Sequence, residues 1–271
     1  MRALPPPTDE LTAMSTSPAA PAGSVLFIHG LYMTGDCWAG WEQRFQAAGY
    51  QTAAPSWPGR DGKPADLRAA PPAALNSLSF DQVVAINRQA AAALPAPLTL
   101  VGHSMGGLIA QLLLAEGVGQ AAVAIDSAPP KGVTALSWSF LKSNAPALFG
   151  KGPIVLTAAQ FHYAFLNHLD ATAAAAIYDQ RVVPEARGVA NGPLTNSAAI
   201  DWAKARGPLL LVSGGADHII PAALNAKNAA KYKASAGRTD LRDYPERTHW
   251  TLAQDGWEQV ADDVLAWVGG T

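Results

Sequence analysis

The 271-residue sequence predicts an α/β fold, with a mostly parallel central sheet of about six to eight strands flanked by helices. A helical insertion is expected after the strand that ends near Asp126. Three observations carry this reading. Short apolar runs bounded by glycine recur, among them Val25-Leu26-Phe27-Ile28, Leu98-Thr99-Leu100-Val101 and Leu209-Leu210-Leu211-Val212. Runs without polar alternation fit strands buried on both faces. Helical segments alternate with these runs, which implies right-handed crossovers between parallel strands. Between residues 131 and 196 the alternation stops, and alanine-rich and aromatic helical segments take over. The reading divides the chain into a disordered leader (1–23), a core (24–130 and 197–271) and a helical cap (131–196).

The elements follow in order. A strand over 24–28 ends at His29-Gly30, and a helix over 38–48 stops at Gly49. A strand over 51–54 leads into Pro55-Ser56-Trp57-Pro58-Gly59 and a polar, proline-bearing loop to about residue 78. A helix over 80–94 follows, with Ser79 as its N-cap. Next come a strand from residue 98, a helix over 105–116, and a strand over 121–125 that runs into Asp126-Ser127-Ala128-Pro129-Pro130. Beyond the insertion, strands over 208–213 and 240–244 bracket a helix over 222–233, and a last helix covers 255–268.

Composition narrows the function classes. About half the residues (49%) are apolar, enough for one large α/β domain. The net charge is −2 and no basic stripe appears, so no nucleic-acid partner is expected. The single cysteine, Cys37, cannot form an internal disulfide and reads as a small buried residue. No stretch approaches the ~20 apolar residues of a membrane span. The first 23 residues lack a basic start followed by an apolar segment, so they do not read as a secretory signal, and a cytoplasmic protein is expected. A homo-oligomer is left open. No H-E-x-x-H spacing and no phosphate loop occur, so neither metal nor cofactor is expected.

The chemistry concentrates in Gly102-His103-Ser104-Met105-Gly106-Gly107, where a strand breaks into a helix. This is the G-x-S-x-G nucleophile elbow, whose strained corner lifts the serine hydroxyl above the sheet. Residues two before and two after the serine pass close to neighbouring backbone, and Gly102 and Gly106 carry no Cβ to collide. A serine needs a base to take its proton, and that base needs a carboxylate to fix its tautomer. In the order serine, acid, histidine, the chain offers Ser104, Asp217 and His249. Asp217 follows a strand and the turn Gly214-Gly215, at the carboxyl edge of a parallel sheet where functional groups collect. Asp126 ends the preceding strand and is the alternative acid. The oxyanion needs two backbone N–H donors, assigned to Leu31, after the first strand, and Met105, at a helix N-terminus. His29 reads as a brace for the first loop.

These segments resemble the α/β-hydrolase superfamily, in particular its small bacterial serine esterases and cofactor-free haloperoxidase-like members. The resemblance rests on His29-Gly30-Leu31, the elbow, residues 214–221 and Thr248-His249-Trp250. It implies an eight-stranded sheet, a cap, a Ser–His–Asp triad and no cofactor. The first two strands of that sheet have no counterpart before Ser24, so six strands are the alternative. The expected substrate is a small or medium, largely apolar ester of carboxylesterase or lactonase type. Tyr32, Trp38 and Trp250 are candidate wall residues, and the insertion's aromatic residues (among them Phe140, Phe149, Phe161 and Phe165) are expected either to line the pocket or to form the cap's own core. The same triad also serves perhydrolysis, carbon–carbon hydrolysis or hydroxynitrile lysis, and a silent triad would leave a ligand-binding protein.

Overall fold

The computed structural model describes residues 22–134, 138–148 and 150–271, so most of the expected leader, and Phe149, lie outside the described residues. Six strands form one sheet among these residues: β1 (Gly23–Ile28), β2 (Tyr50–Ala53), β3 (Leu98–His103), β4 (Ala121–Ile125), β5 (Leu209–Gly214) and β6 (Thr239–Tyr244). Their spatial order is β2-β1-β3-β4-β5-β6, and every neighbouring pair is parallel. Among the described residues the sheet thus has six strands, where the resemblance implied eight.

Side chains alternate across a strand with period two, so each buried strand feeds two cores. Leu26, Ile28, Leu100, Ala122, Ala124, Leu209 and Leu211 face one side. There they meet α3 (Phe80–Ala92) and α4 (Met105–Glu116), given that α1 spans Ala39–Ala47 and α2 Pro64–Ala69. Val25, Phe27, Val101, Val123, Ile125, Leu210 and Val212 face the other, against Trp41 and Phe45 of α1 and the C-terminal helix. Packing on both faces explains why these strands read as continuous apolar runs.

Helix α3 starts where Ser79 predicts it. The Ser79 hydroxyl accepts from the Gln82 amide (3.3 Å) and Gln82 Oε1 accepts from the Ser79 amide (2.8 Å), a reciprocal capping box. The polar stretch before it, expected as loop, contains α2 and a 3-10 turn over Ala73–Asn76. Pro64 starts α2 by presetting φ, and only Leu67 of that helix is buried, so no apolar periodicity announced it. Between β4 and β5 lie α5 (Trp138–Leu148), α6 (Ala158–Phe165), α7 (Ala171–Arg181) and α8 (Arg187–Ala190). Capping sets two of them: Thr157 and Gln160 form a capping box, and Asp170 accepts from the amides of Thr172 and Ala173. After β5, α9 covers Ala222–Lys231, and α10 (Trp257–Gly269) closes the chain. No helix among the described residues is long and apolar enough to cross a membrane.

Candidate active site

Because the strands are parallel, their carboxyl ends share one edge, where Ser104, Asp126 and Asp217 and the loop bearing His249 follow β3, β4, β5 and β6. Ser104 has φ 54° and ψ −118°, a conformation that L residues seldom adopt. Close packing holds it there. A Cβ on Gly102 would lie 2.0 Å from the Gly106 carbonyl oxygen, and one on Gly106 would lie 2.1 Å from that of Ile28. Helix α4 begins at the next residue, which places the Met105 amide at its N-terminus. A Cβ on Gly30 would approach Ser104 Cβ to 2.9 Å, so the loop after β1 rests directly on the serine.

His249 and Asp217 form a fully buried pair. Nδ1 of His249 donates to Asp217 Oδ2 at 2.6 Å, and both side chains are 0% exposed. Asp217 Oδ1 accepts from the amides of Ile219 (2.6 Å) and Ile220 (2.9 Å), which fixes the carboxylate. Burial pulls the His249 pKa down, yet the charge and hydrogen bond of Asp217, with the charge of Asp126, raise it above the ordinary value. His249 Nε2 is buried and has no hydrogen-bond partner among the described residues, Ser104 included. The ring lies tilted against that of His103, with centroids 4.7 Å apart, and His103 Nε2 donates to the His249 carbonyl (3.0 Å). Burial, then the charge of His249, hold the His103 pKa well below the ordinary imidazole value.

Asp126 sits in the same cluster without bonding the histidine. Its Oδ1 accepts from the Gly214 amide (2.6 Å) and its Oδ2 from the Thr251 hydroxyl (2.5 Å). Burial, then the charge of Asp217, push its carboxyl up to about 7. Of the two sequence candidates for the acid, the hydrogen bond to His249 belongs to Asp217. A carboxylate oxygen of Asp126 and ring nitrogens of His103 and His249 lie within 4.8 Å of one another.

Leu31, Ser104 and Met105 line a cavity of about 430 Å³ with Phe140, Ile219 and Leu224. Neither the Leu31 nor the Met105 amide donates to a protein acceptor among the described residues. His29 braces the loop on both sides: Nδ1 donates to the Gly30 carbonyl (2.8 Å) and Nε2 accepts from the Trp57 amide (3.2 Å). A smaller hollow of about 240 Å³ touches His103, His249 and Trp250.

The expected walls divide. Trp38 lies outside both hollows, fully buried against Phe27 (4.9 Å) and Trp41 (5.4 Å). Its 3-10 turn, Gly35–Trp38, turns the indole into the core layer shared with α1 and α10. Tyr32 is buried with φ 64° and packs edge-on to Phe165 (6.3 Å), away from the Ser104 cavity. Trp250 faces the smaller hollow and meets Phe161 edge-on (6.0 Å). Phe161 and Phe165 stack at 4.3 Å inside the insertion's own cluster, and Trp138 is 78% exposed.

Sequence reasoning missed a buried ion pair beside this loop, Arg60 with Glu185. One signal was available, since Glu185 interrupts the apolar run Val182-Val183-Pro184-Glu185-Ala186.

The chain matches the alpha/beta hydrolase family over residues 25–263. No curated protein matches it in sequence. Among solved structures, a methylesterase from Arabidopsis is similar at 13% identity, covering 92% of this chain and 99% of that one, with a TM-score of 0.64. Polyneuridine aldehyde esterase is 13% identical over 89% of this chain and 98% of its own, with a TM-score of 0.65. A pyrethroid hydrolase from Sphingobium faniae is 16% identical over 90% and 96%, with a TM-score of 0.61. At these identities the likeness speaks for the fold, and the family match covers most of the chain: the protein is a member of the alpha/beta hydrolase family.

Proposed function

We propose that the protein is a serine hydrolase that cleaves a small to medium, largely apolar carboxylic ester through an acyl-enzyme. Ser104 is the nucleophile, His249 the base and Asp217 the acid, with the amides of Leu31 and Met105 as the oxyanion hole. The observation that carries this reading is the buried His249–Asp217 pair, with Nε2 unpartnered, on the same sheet edge as the strained serine. With Nδ1–H held by Asp217, Nε2 is the lone-pair nitrogen and accepts a proton. The Ser104–His249 hydrogen bond is made when substrate is bound, since such bonds are commonly long in free enzymes.

Ser104 attacks the ester carbonyl as His249 takes the hydroxyl proton. The oxyanion rests on two amides, one backed by the N-terminal dipole of α4. The alcohol leaves with the proton from His249, and water repeats the cycle on the acyl group. The cavity supports an uncharged substrate. Its one lysine, Lys131, is engaged by Asn196, and its other lining residues carry no charge. Segments from α5 and α8 share the lining with the core, so the insertion acts as a cap over the site.

A panel of p-nitrophenyl esters graded in acyl length tests the reading. Ser104→Ala is expected to lose roughly 10³-fold or more in kcat/KM and to lose labelling by a fluorophosphonate. Turnover retained in that variant rejects the assignment.

A further inference from the structure

Arg60 and Glu185 meet at 2.6 Å with both side chains 0% exposed. Taking two charges out of water costs about as much as their attraction returns, so a pair like this is weak evidence for stability as such. Its hydrogen bonds show where it acts. Glu185 Oε2 accepts from Arg60 Nη2 and also from the backbone amide of Tyr32 (3.1 Å). Glu185 Oε1 accepts from the amide of Ala186 (2.8 Å). Arg60 Nε donates to the carbonyl of Met33 (2.9 Å) and Nη1 to that of Pro58 (3.3 Å). The Tyr32 carbonyl accepts from the Val183 amide (3.0 Å). Both polar groups of the Tyr32 backbone and the next carbonyl are therefore held by the pair and its own segment. That segment is anchored in the insertion, because Glu185 and Ile154 exchange two backbone hydrogen bonds (2.7 and 2.9 Å).

From these contacts we infer that Glu185 and Arg60 are positioning residues for the oxyanion loop. The inference rests on the reading of Leu31 and Met105 as oxyanion donors. Leu31 lies between two fixed points: Gly30, packed against Ser104, and Tyr32, held at φ 64° by Glu185. The carboxylate consumes the Tyr32 amide, while Leu31 lines the cavity and its amide has no protein acceptor among the described residues. Arg60 neutralises the carboxylate, which would otherwise place an unpaired negative charge one residue from a group that must receive an oxyanion. Catalytic competence is thereby tied to the seating of the insertion, since Glu185 comes from the insertion and Arg60 from the core.

The decisive variant is the double substitution Arg60→Met with Glu185→Leu. Replacing a buried pair by apolar side chains of similar size commonly preserves folding, whereas removing one partner strands a charge. A merely structural pair would leave this variant both folded and active. The positioning role gives a folded variant with p-nitrophenyl butyrate kcat lower by about 100-fold, the cost of misplacing one oxyanion donor. KM is expected to stay within about threefold. Phenylboronic acid, which binds as a tetrahedral adduct on Ser104, is expected to weaken in parallel with kcat, while butyl phenyl ether, an ester isostere with no carbonyl oxygen for the two amides, binds unchanged. Unchanged kcat and boronic acid affinity in the folded variant overturn the inference. Should the double variant not fold, Glu185→Gln is measured by the same split, and equal kcat again overturns it. Backbone hydrogen exchange at Tyr32 separates this inference from the reading beneath it. If the wild-type protein turns over no ester, the esterase reading fails, yet lost protection at Tyr32 in the variant still supports the clamp and retained protection removes it.

Discussion

Ser104 keeps a positive φ although it has a Cβ, at a cost of about 1–3 kcal/mol that the surrounding packing must meet. Asp217 and Asp126 show how two carboxylates on one edge take different roles. The first accepts two amides and the imidazole N–H, and the second accepts one amide and a hydroxyl. Their difference yields two predictions. His249 must be neutral to act as base, and its pKa is raised above 6.5, so the acid limb of kcat/KM is expected above that value. Asp217→Asn is expected to move that limb to lower pH and to cut kcat by about 10⁴-fold. Asp126 contributes part of the elevation, so the shift is incomplete; a limb that stays in place contradicts the assignment. Asp126 itself binds a proton more tightly in the folded chain, with its pKa at about 7 against 3.8 unperturbed. Folding is therefore favoured most below the unperturbed value, and this contribution declines as pH rises through about 7. Asp126→Asn is expected to flatten the fall of Tm between those limits, measured by calorimetry against wild type.

At the level of elements, capping and burial pattern do different work. The Ser79–Gln82 box fixes the first turn of α3 with side chains alone, so its loss is local. Ser79→Ala is expected to destabilise the protein by about 1 kcal/mol, without changing ester turnover, as read from urea midpoints at unchanged slope. Helix α4 has no such cap from Ser104, whose side chain makes no capping bond. Every residue from Met105 to Leu114 is buried, so packing on β3 and β4 holds that helix. This frees the Ser104 hydroxyl and the Met105 amide from structural duty. The strands, α3, α4 and the elbow were legible because period, caps and glycines are local signals. The 3-10 turn at Trp38 and helix α2 were not, since neither carries an apolar stripe.

Across the whole molecule, insertion and core are not separate bodies. One apolar cluster joins Phe161, Phe165 and Val182 of the insertion to Tyr32, Met33, Ile219 and Trp250 of the core. Phe165 lies edge-on to His249 at 4.9 Å, so the cluster also walls that imidazole. A single cooperative transition is expected on heating. Phe161→Ala should lower its midpoint by the equivalent of about 3–5 kcal/mol without splitting it. Two resolved transitions would show that the insertion folds by itself.

The sequence by itself determined the α/β class, the strand runs, the strained elbow and the residue types of the site, because glycine spacing and apolar period are written locally. It left the acid open between Asp126 and Asp217, and it placed Trp38 at a wall where the structure has core. Only the tertiary structure gave the His249 hydrogen bond to Asp217 and Trp38 to the core, and it alone brought Arg60 to Glu185 across 125 positions. A buried charge has meaning through its partner, and partners distant in the chain meet only when sheet order and insertion packing set them side by side.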